Sequence, residues 1–253
     1  MSFAMQDSRQ NFTLITGLRL NVKCMETDNL GNLYVVTKTN QLYKYGRNGR
    51  LLSTLNFNYI GNITQLDASN PMEIYLFYKE LNKVVFLDNN LAFRGEINLN
   101  KANIIQASAI ARSYDNNIWV FDLGDLQLKK VNKTNEVEQE SGNIRQYISG
   151  NAAINYMFDN NDRVFVVDSL NGILLFDIFA SYIKTIPVKG VSDVKVLDKY
   201  LFYFDNQQLS RYNWQTPKKQ SFALPDTLNL RKLSIEKERL YLQKADSIYI
   251  YSY

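Results

Sequence analysis

Histidine is absent from this chain of 253 residues. Without an imidazole, neither a Ser-His-Asp nor a Cys-His nucleophile can be assembled, and no His-ligated zinc or copper site can form. A single cysteine, Cys24, excludes an intramolecular disulfide scaffold. It falls in an expected inner strand and reads as a buried structural thiol. Four prolines and eleven glycines leave no room for a long disordered linker. No apolar run reaches the roughly eighteen residues of a membrane-spanning helix, and no Gly-rich phosphate loop occurs. Residues 1–10 are too short and polar for a complete signal peptide and read as a flexible tail, consistent with the stump left after one.

What is present points to strands. Hydrophobic residues at 45% and charged residues at 21% are the proportions of a globular protein, so a packed core is expected. Aromatics at 13%, mostly Tyr and Phe, favour pleated, half-buried surfaces. The net charge of +4 is mild, and Lys and Arg are spread along the chain between acidic runs such as Glu136-Val137-Glu138-Gln139-Glu140. That is a solvated mixed-charge surface, unlike the single basic stripe of a dedicated nucleic-acid binder.

One apolar-aromatic strand recurs six times. The copies start at Leu33, Ile74, Ile118, Val164, Leu201 and Leu240, spaced 37–46 residues apart. Each is followed, eight to ten residues after its start, by a second alternating strand, as in Gln41-Leu42-Tyr43-Lys44-Tyr45 and Ser247-Ile248-Tyr249-Ile250-Tyr251. Strands so closely joined must form antiparallel hairpins. A third strand follows most hairpins and a less regular one precedes each. The expected fold is all-β: a six-bladed β-propeller of four-stranded antiparallel blades, formed by residues 11–253 as one domain. The sixth copy stops at Tyr253 without its outer strand. The segment Asn11-Phe12-Thr13-Leu14-Ile15-Thr16-Gly17 is expected to supply it by pairing with Ser247–Tyr251, closing the last blade with the N-terminal strand. Asn100–Arg112, Ala- and Ile-rich, is expected to be a loop running into an inner strand. Asp177–Tyr182 has the look of a single helical turn.

The fourth copy, Phe158 to Asp177, resembles an NHL-type propeller repeat, and the first carries the same phrase in Asp28-Asn29-Leu30-Gly31-Asn32-Leu33-Tyr34-Val35-Val36. The Asp that closes the aromatic strand in that family is matched by Asp122, Asp168 and Asp205, while Thr37, Tyr78 and Lys244 stand near that point in the other copies. The resemblance implies a propeller whose relatives range from protein- and RNA-binding modules to lyases. Lyases and quinoprotein dehydrogenases that rely on histidine are disfavoured here. The Asp residues themselves read as turn formers, because a calcium loop needs a defined spacing and a distal bidentate Glu that are missing.

No catalytic residue and no cofactor are expected. The reading favoured by the sequence is a non-enzymatic scaffold, monomeric on its own, that binds another protein through one propeller face. Its Asn-, Tyr- and Lys-rich composition suits an exported, periplasmic or envelope-associated component of a bacterium. Candidate contact residues at the inner-strand mouths are Asn21, Lys23, Gln65, Gln106, Asn155, Asp193, Lys195 and Arg231. One enzymatic alternative is a hydrolase of the gluconolactonase-like propeller type, with a divalent cation held by Glu26, Asn155 and Asp193. Asp67 is another carboxylate near an inner strand. A second alternative is RNA binding, through Lys218-Lys219 and Arg231-Lys232 with Tyr212 and Trp214 nearby.

Overall fold

The computed structural model describes residues 12–55, 61–160, 162–191 and 194–253. The expected tail at residues 1–10 lies outside them. Strand β1 (Thr13–Arg19) comes first among the described residues. Blade one follows as β2 (Val22–Thr27), β3 (Leu33–Thr37), β4 (Leu42–Tyr45) and β5 (Leu51–Thr54). Blade two is β6 (Gln65–Asn70), β7 (Glu73–Tyr78), β8 (Lys83–Asp88) and β9 (Phe93–Asn98). Blade three is β10 (Ala107–Arg112), β11 (Ile118–Asp122), β12 (Gln127–Val131) and β13 (Val137–Glu140). Blade four is β14 (Ile154–Asn160), β15 (Arg163–Asp168), β16 (Gly172–Asp177) and β17 (Tyr182–Ile186). Blade five is β18 (Lys195–Leu197), β19 (Tyr200–Asp205), β20 (Gln208–Asn213) and β21 (Lys218–Phe222). Blade six is β22 (Lys232–Glu236), β23 (Arg239–Gln243) and β24 (Ser247–Ser252), with β1 as its outer strand.

Within each blade the strands are antiparallel, and in blades one to five they follow chain order outward. The recurrent aromatic strand is the second of each blade, and it is apolar at successive positions because both of its faces are buried. Side chains of a strand alternate between faces. Thus Tyr34 and Val36 of β3 pack on Leu66 and Leu76 of blade two, while Leu33 and Val35 pack on Tyr241 and Ile250 of blade six. Val164 and Val166 of β15 face Trp119 and Phe121, and Phe165 and Val167 face Leu201 and Tyr203. Two further cores join blades two and three through Tyr75, Phe86 and Ile110, and blades five and six through Phe202, Leu209, Leu240 and Leu242. Six inter-blade cores make a closed ring.

Closure is as the sequence implies, shifted two residues along. Thr13 pairs with Ser252 and Arg19 with Ser247. Gly17 lies opposite Tyr249, whose ring would stand 3.2 Å from a Cβ at that position. A glycine there lets the ring cover the strand.

One four-residue turn serves seven of the hairpins. Its first residue accepts from the fourth, and donates to the carbonyl beyond it, as in Gly31 N to Asp28 O and Asp28 N to Asn32 O at 3.0 and 3.1 Å. The same pair of bonds recurs at Thr37, Gly46, Asp88, Ser113, Asn132 and Asp177. The fourth residue is left-handed: Gly31, Asn40, Gly49, Leu91, Asn116, Asn135 and Ala180. An Asp or Asn at the first position also takes backbone N–H groups on its side chain, as Asp28 Oδ1 does from Leu30 and Asn32. This accounts for the abundant Asx residues. Leu91 and Ala180 lack glycine's freedom, but their side chains are buried in the inter-blade cores, which offsets a left-handed cost of about 1–2 kcal/mol. The Asp177–Tyr182 segment is therefore one of these turns, not a helical one. Asn100–Arg112 is a loop running into β10, as expected.

Candidate functional site: the two mouths of the central channel

The inner strands β2, β6, β10, β14, β18 and β22 surround the axis. Two cavities lie on it, one where these strands start and one where they end. The start-side cavity, of about 330 Å³, is lined by Lys23, Thr64, Gln65, Asn155, Arg231, Lys232 and Gln243 among others. The end-side cavity, of about 270 Å³, is lined by Glu26, Thr27, Asp67, Phe158, Asp159, Lys195 and Glu236 among others. Three of the four charged side chains at the start-side cavity are cations, with Glu26 the fourth, and four of the five at the end-side cavity are carboxylates, with Lys195 the fifth.

Backbone irregularity sets which side chains reach the start-side mouth. The pairing of β2 with β3 shifts between Val22 and Cys24, so Lys23 is an extra, bulged residue. Asn155 occupies the same place in β14, between Ile154 and Tyr156. Ser108 does so in β10, where it is buried. A bulge re-aims one side chain and tightens the local twist. Two of the three aim polar groups into the cavity.

Along the channel towards the other end the polar groups satisfy one another. Lys232 meets Glu26 at 2.7 Å. Lys195 pairs with Glu236, whose Oε1 also accepts from the Thr27 hydroxyl at 2.7 Å. Thr27 and Ser234 lie 2.7 Å apart, and the Tyr241 hydroxyl donates to the Gly31 carbonyl at 2.7 Å. These bonds fasten blade six to blade one, and the Lys195 pair fastens it to blade five. Across the channel, Gln65 donates to the Ile110 carbonyl at 2.6 Å and accepts from its N–H at 2.9 Å, while Asp67 accepts from Arg112 N at 2.7 Å. The inner edge of β10 is unpaired by any strand, and these two side chains of β6 complete its hydrogen bonding.

Asp159 stands apart. Burial pushes its carboxyl up from 3.8 to about 6, against the pull of the Trp119 indole N–H at 3.0 Å and the Tyr114 backbone. Asp162 and Asp115 add repulsion. The folded protein holds this proton more tightly than the unfolded chain, so ionisation costs stability as pH rises between about 4 and 6. Asp159→Asn keeps an acceptor for the indole without the charge. Its expected effect is a melting temperature higher by about 4–8 °C at pH 8 and unchanged at pH 3.5. Equal melting of the two proteins at pH 8 would show that the carboxylate pays no such cost.

The structure divides the sequence-derived candidates. Lys23, Gln65, Asn155 and Arg231 come together at the start-side cavity, although the Gln65 amide is engaged with β10. Lys195 belongs to the opposite cavity and is held by Glu236. Asn21 and Gln106 are exposed but line neither cavity; their carbonyls accept from Lys38 and Leu123 in adjacent loops. Asp193 lies outside the described residues. Cys24 is half-buried at the start-side cavity rather than fully buried. Of the proposed cation ligands, Glu26 lines both cavities and is paired with Lys232, Asn155 lines the start-side one, and no group of three or more acidic or thiol side chains converges among the described residues. In the RNA set, Lys219 pairs with Asp205 at 2.5 Å, and Tyr212 and Trp214 pack against the core between blades four and five. Missing from the sequence reading were Gln243 and Glu236. Gln243 sits at the end of an apolar strand, where alternation alone makes it look like core. Asp159, expected as a turn former, lies within β14 instead.

By sequence, the chain matches no family model and no curated protein. By structure, the fold is shared with solved propellers. A catalytically inactive His-to-Ala variant of virginiamycin B lyase from Staphylococcus aureus, with quinupristin, is 14% identical with a TM-score of 0.61, over 92% of this chain and 80% of that one. BamB from Moraxella catarrhalis is 12% identical with a TM-score of 0.62, over 96% and 98%. An exported protein of Bacteroides fragilis is 13% identical with a TM-score of 0.64, over 97% and 96%. The propeller expectation is met. At these identities the likeness is one of fold and does not single out the NHL type.

Proposed function

We propose that this chain is a non-enzymatic propeller that holds another protein on the face where its inner strands start, as part of a bacterial envelope assembly. The observation that carries the reading is the contrast between the mouths. The channel carboxylates of Glu26, which lines both cavities, and of Glu236 at the end side are held by Lys232 and Lys195 of this chain, whereas Lys23 and Arg231 at the start side make no ion pair among the described residues. The loops on that face also present large apolar side chains. Ile105 is 84% exposed and Leu228 73%, each in the loop leading to an inner strand, and Leu170 tips the turn between β15 and β16. Apolar anchors beside a polar mouth are the usual make-up of a contact surface. Leu30, Met72 and Tyr114 tip hairpins on the opposite face.

Lyase chemistry of the virginiamycin type is disfavoured, since replacing a histidine inactivates that enzyme and this chain has none. The likeness to BamB and to an exported protein supports an envelope location. No helix among the described residues is long and apolar enough to cross a membrane.

Affinity capture from the native host tests the reading. The expected result is a stoichiometric partner retained by the parent protein and by Leu30→Asp/Met72→Asp, and lost with Ile105→Asp/Leu228→Asp. Loss only with the first pair would move the contact to the other face. No partner with any protein would remove the proposal.

A further inference from the structure

The start-side cavity contains one group that the chain itself leaves unanswered. Gln243 closes β23 and is 4% exposed, yet its Oε1 has no hydrogen-bond partner among the described residues. It lines the same cavity as Lys23, Asn155 and Arg231, and as Glu26 and Lys232, whose charges answer each other in an ion pair. A buried amide oxygen without a donor costs about 1–3 kcal/mol, so its retention calls for a ligand that supplies one. The position is fixed. Gln243 is the register partner of Lys232, and its carbonyl accepts from Arg231 N at 2.9 Å.

A simple anion answers the two cations but not Gln243, whose oxygen would repel it. A neutral donor answers Gln243 but leaves Lys23 and Arg231 exposed and unpaired. The required ligand carries both an anionic group and an adjacent N–H. We infer that the start-side cavity receives an acidic peptide segment, its side-chain carboxylate between Lys23 and Arg231 and a backbone N–H on Gln243 Oε1. Arg231 is suited to a two-pronged carboxylate contact and Lys23 to a point charge. Asn155, bulged into the same space, offers both a donor and an acceptor to the peptide backbone. About 330 Å³ is at the small end of ligand cavities and fits one or two residues. The inference rests on the protein-binding reading and specifies what that partner presents.

The probe is a fluorescein-labelled, end-capped peptide of alternating glycine and glutamate, compared by anisotropy with its glutamine counterpart and with free glutamate as competitor. The acidic peptide is expected to saturate the parent protein and to bind at least tenfold more tightly than the glutamine peptide. Lys23→Gln/Arg231→Gln should lose at least tenfold and flatten the salt dependence. Gln243→Leu should lose several-fold with the salt dependence unchanged. Lys23 and Arg231 are exposed, so the double variant should melt with the parent. Equal binding of the two peptides, or of parent and double variant, overturns the inference. Competition by free glutamate as strong as by unlabelled peptide overturns the peptide source and assigns the cavity to a free amino acid. Capture of the native partner, run in parallel, separates the two readings. A partner retained equally by parent and double variant overturns the acidic segment and leaves the scaffold. Peptide binding without any partner overturns the scaffold alone.

Discussion

A chain lacking residues 1–19 is expected to lose cooperative unfolding, or to melt about 10–20 °C below the full-length protein. Strand β1 makes six register pairs with β24. Leu14 and Ile15 are largely exposed, so the strand contributes mainly through backbone hydrogen bonds, at about 0.5–1.5 kcal/mol each. Leu18 adds packing on the core between blades six and one, and Phe12 on the core between five and six. Several kcal/mol is a large part of the stability of an ordinary domain. The truncation also bares the β24 edge, a template for association. A peptide of residues 11–20 added in trans should restore part of the loss. A truncated protein that melts with the parent would mean that blade six needs only three strands.

Trp119→Ala is expected to cost about 3–5 kcal/mol and to lower the melting temperature by about 10–15 °C. The indole is fully buried in the core between blades three and four, against Met157, Val164 and Val166. Its N–H is one of two groups holding the Asp159 carboxylate. Trp119→Phe separates the two roles. It keeps most of the ring and should cost less, but it removes the donor and should move the Asp159 titration above its present midpoint near 6. Melting of Trp119→Ala within a few degrees of the parent would place the indole outside the cooperative core.

The two predictions show why the architecture was readable and the site less so. Tyr34-Val35-Val36 and Phe165-Val166-Val167 announce a strand buried on both faces, and in one chain such strands at a regular spacing have few solutions other than a ring. The turn residues agreed, since Asp28, Asp88 and Asp177 each appear where a hairpin must reverse. The missing outer strand in the last copy was equally legible. The bulges were not. Nothing in Val22-Lys23-Cys24 or Ile154-Asn155-Tyr156 marks the middle residue as extra, although that single residue decides what enters the cavity. Lys23 and Asn155 were named for being polar near a strand start, and so were Asn21 and Gln106, which the backbone carries elsewhere. Lys195 is at a mouth, but apart from Lys23 and Asn155, for a related reason. Strand β18 is only three residues long and begins late, so its first residue sits at the far mouth. Gln243 was missed because its defining property is a partner it lacks.

The pairing of Thr13 with Ser252 brings both ends of the described chain to the outer edge of one blade. Whatever extends from either end leaves at the rim, a full blade's width from the axis. A tether attached there would hold the disk by its side, like a wheel gripped at the tyre, with both hub openings clear.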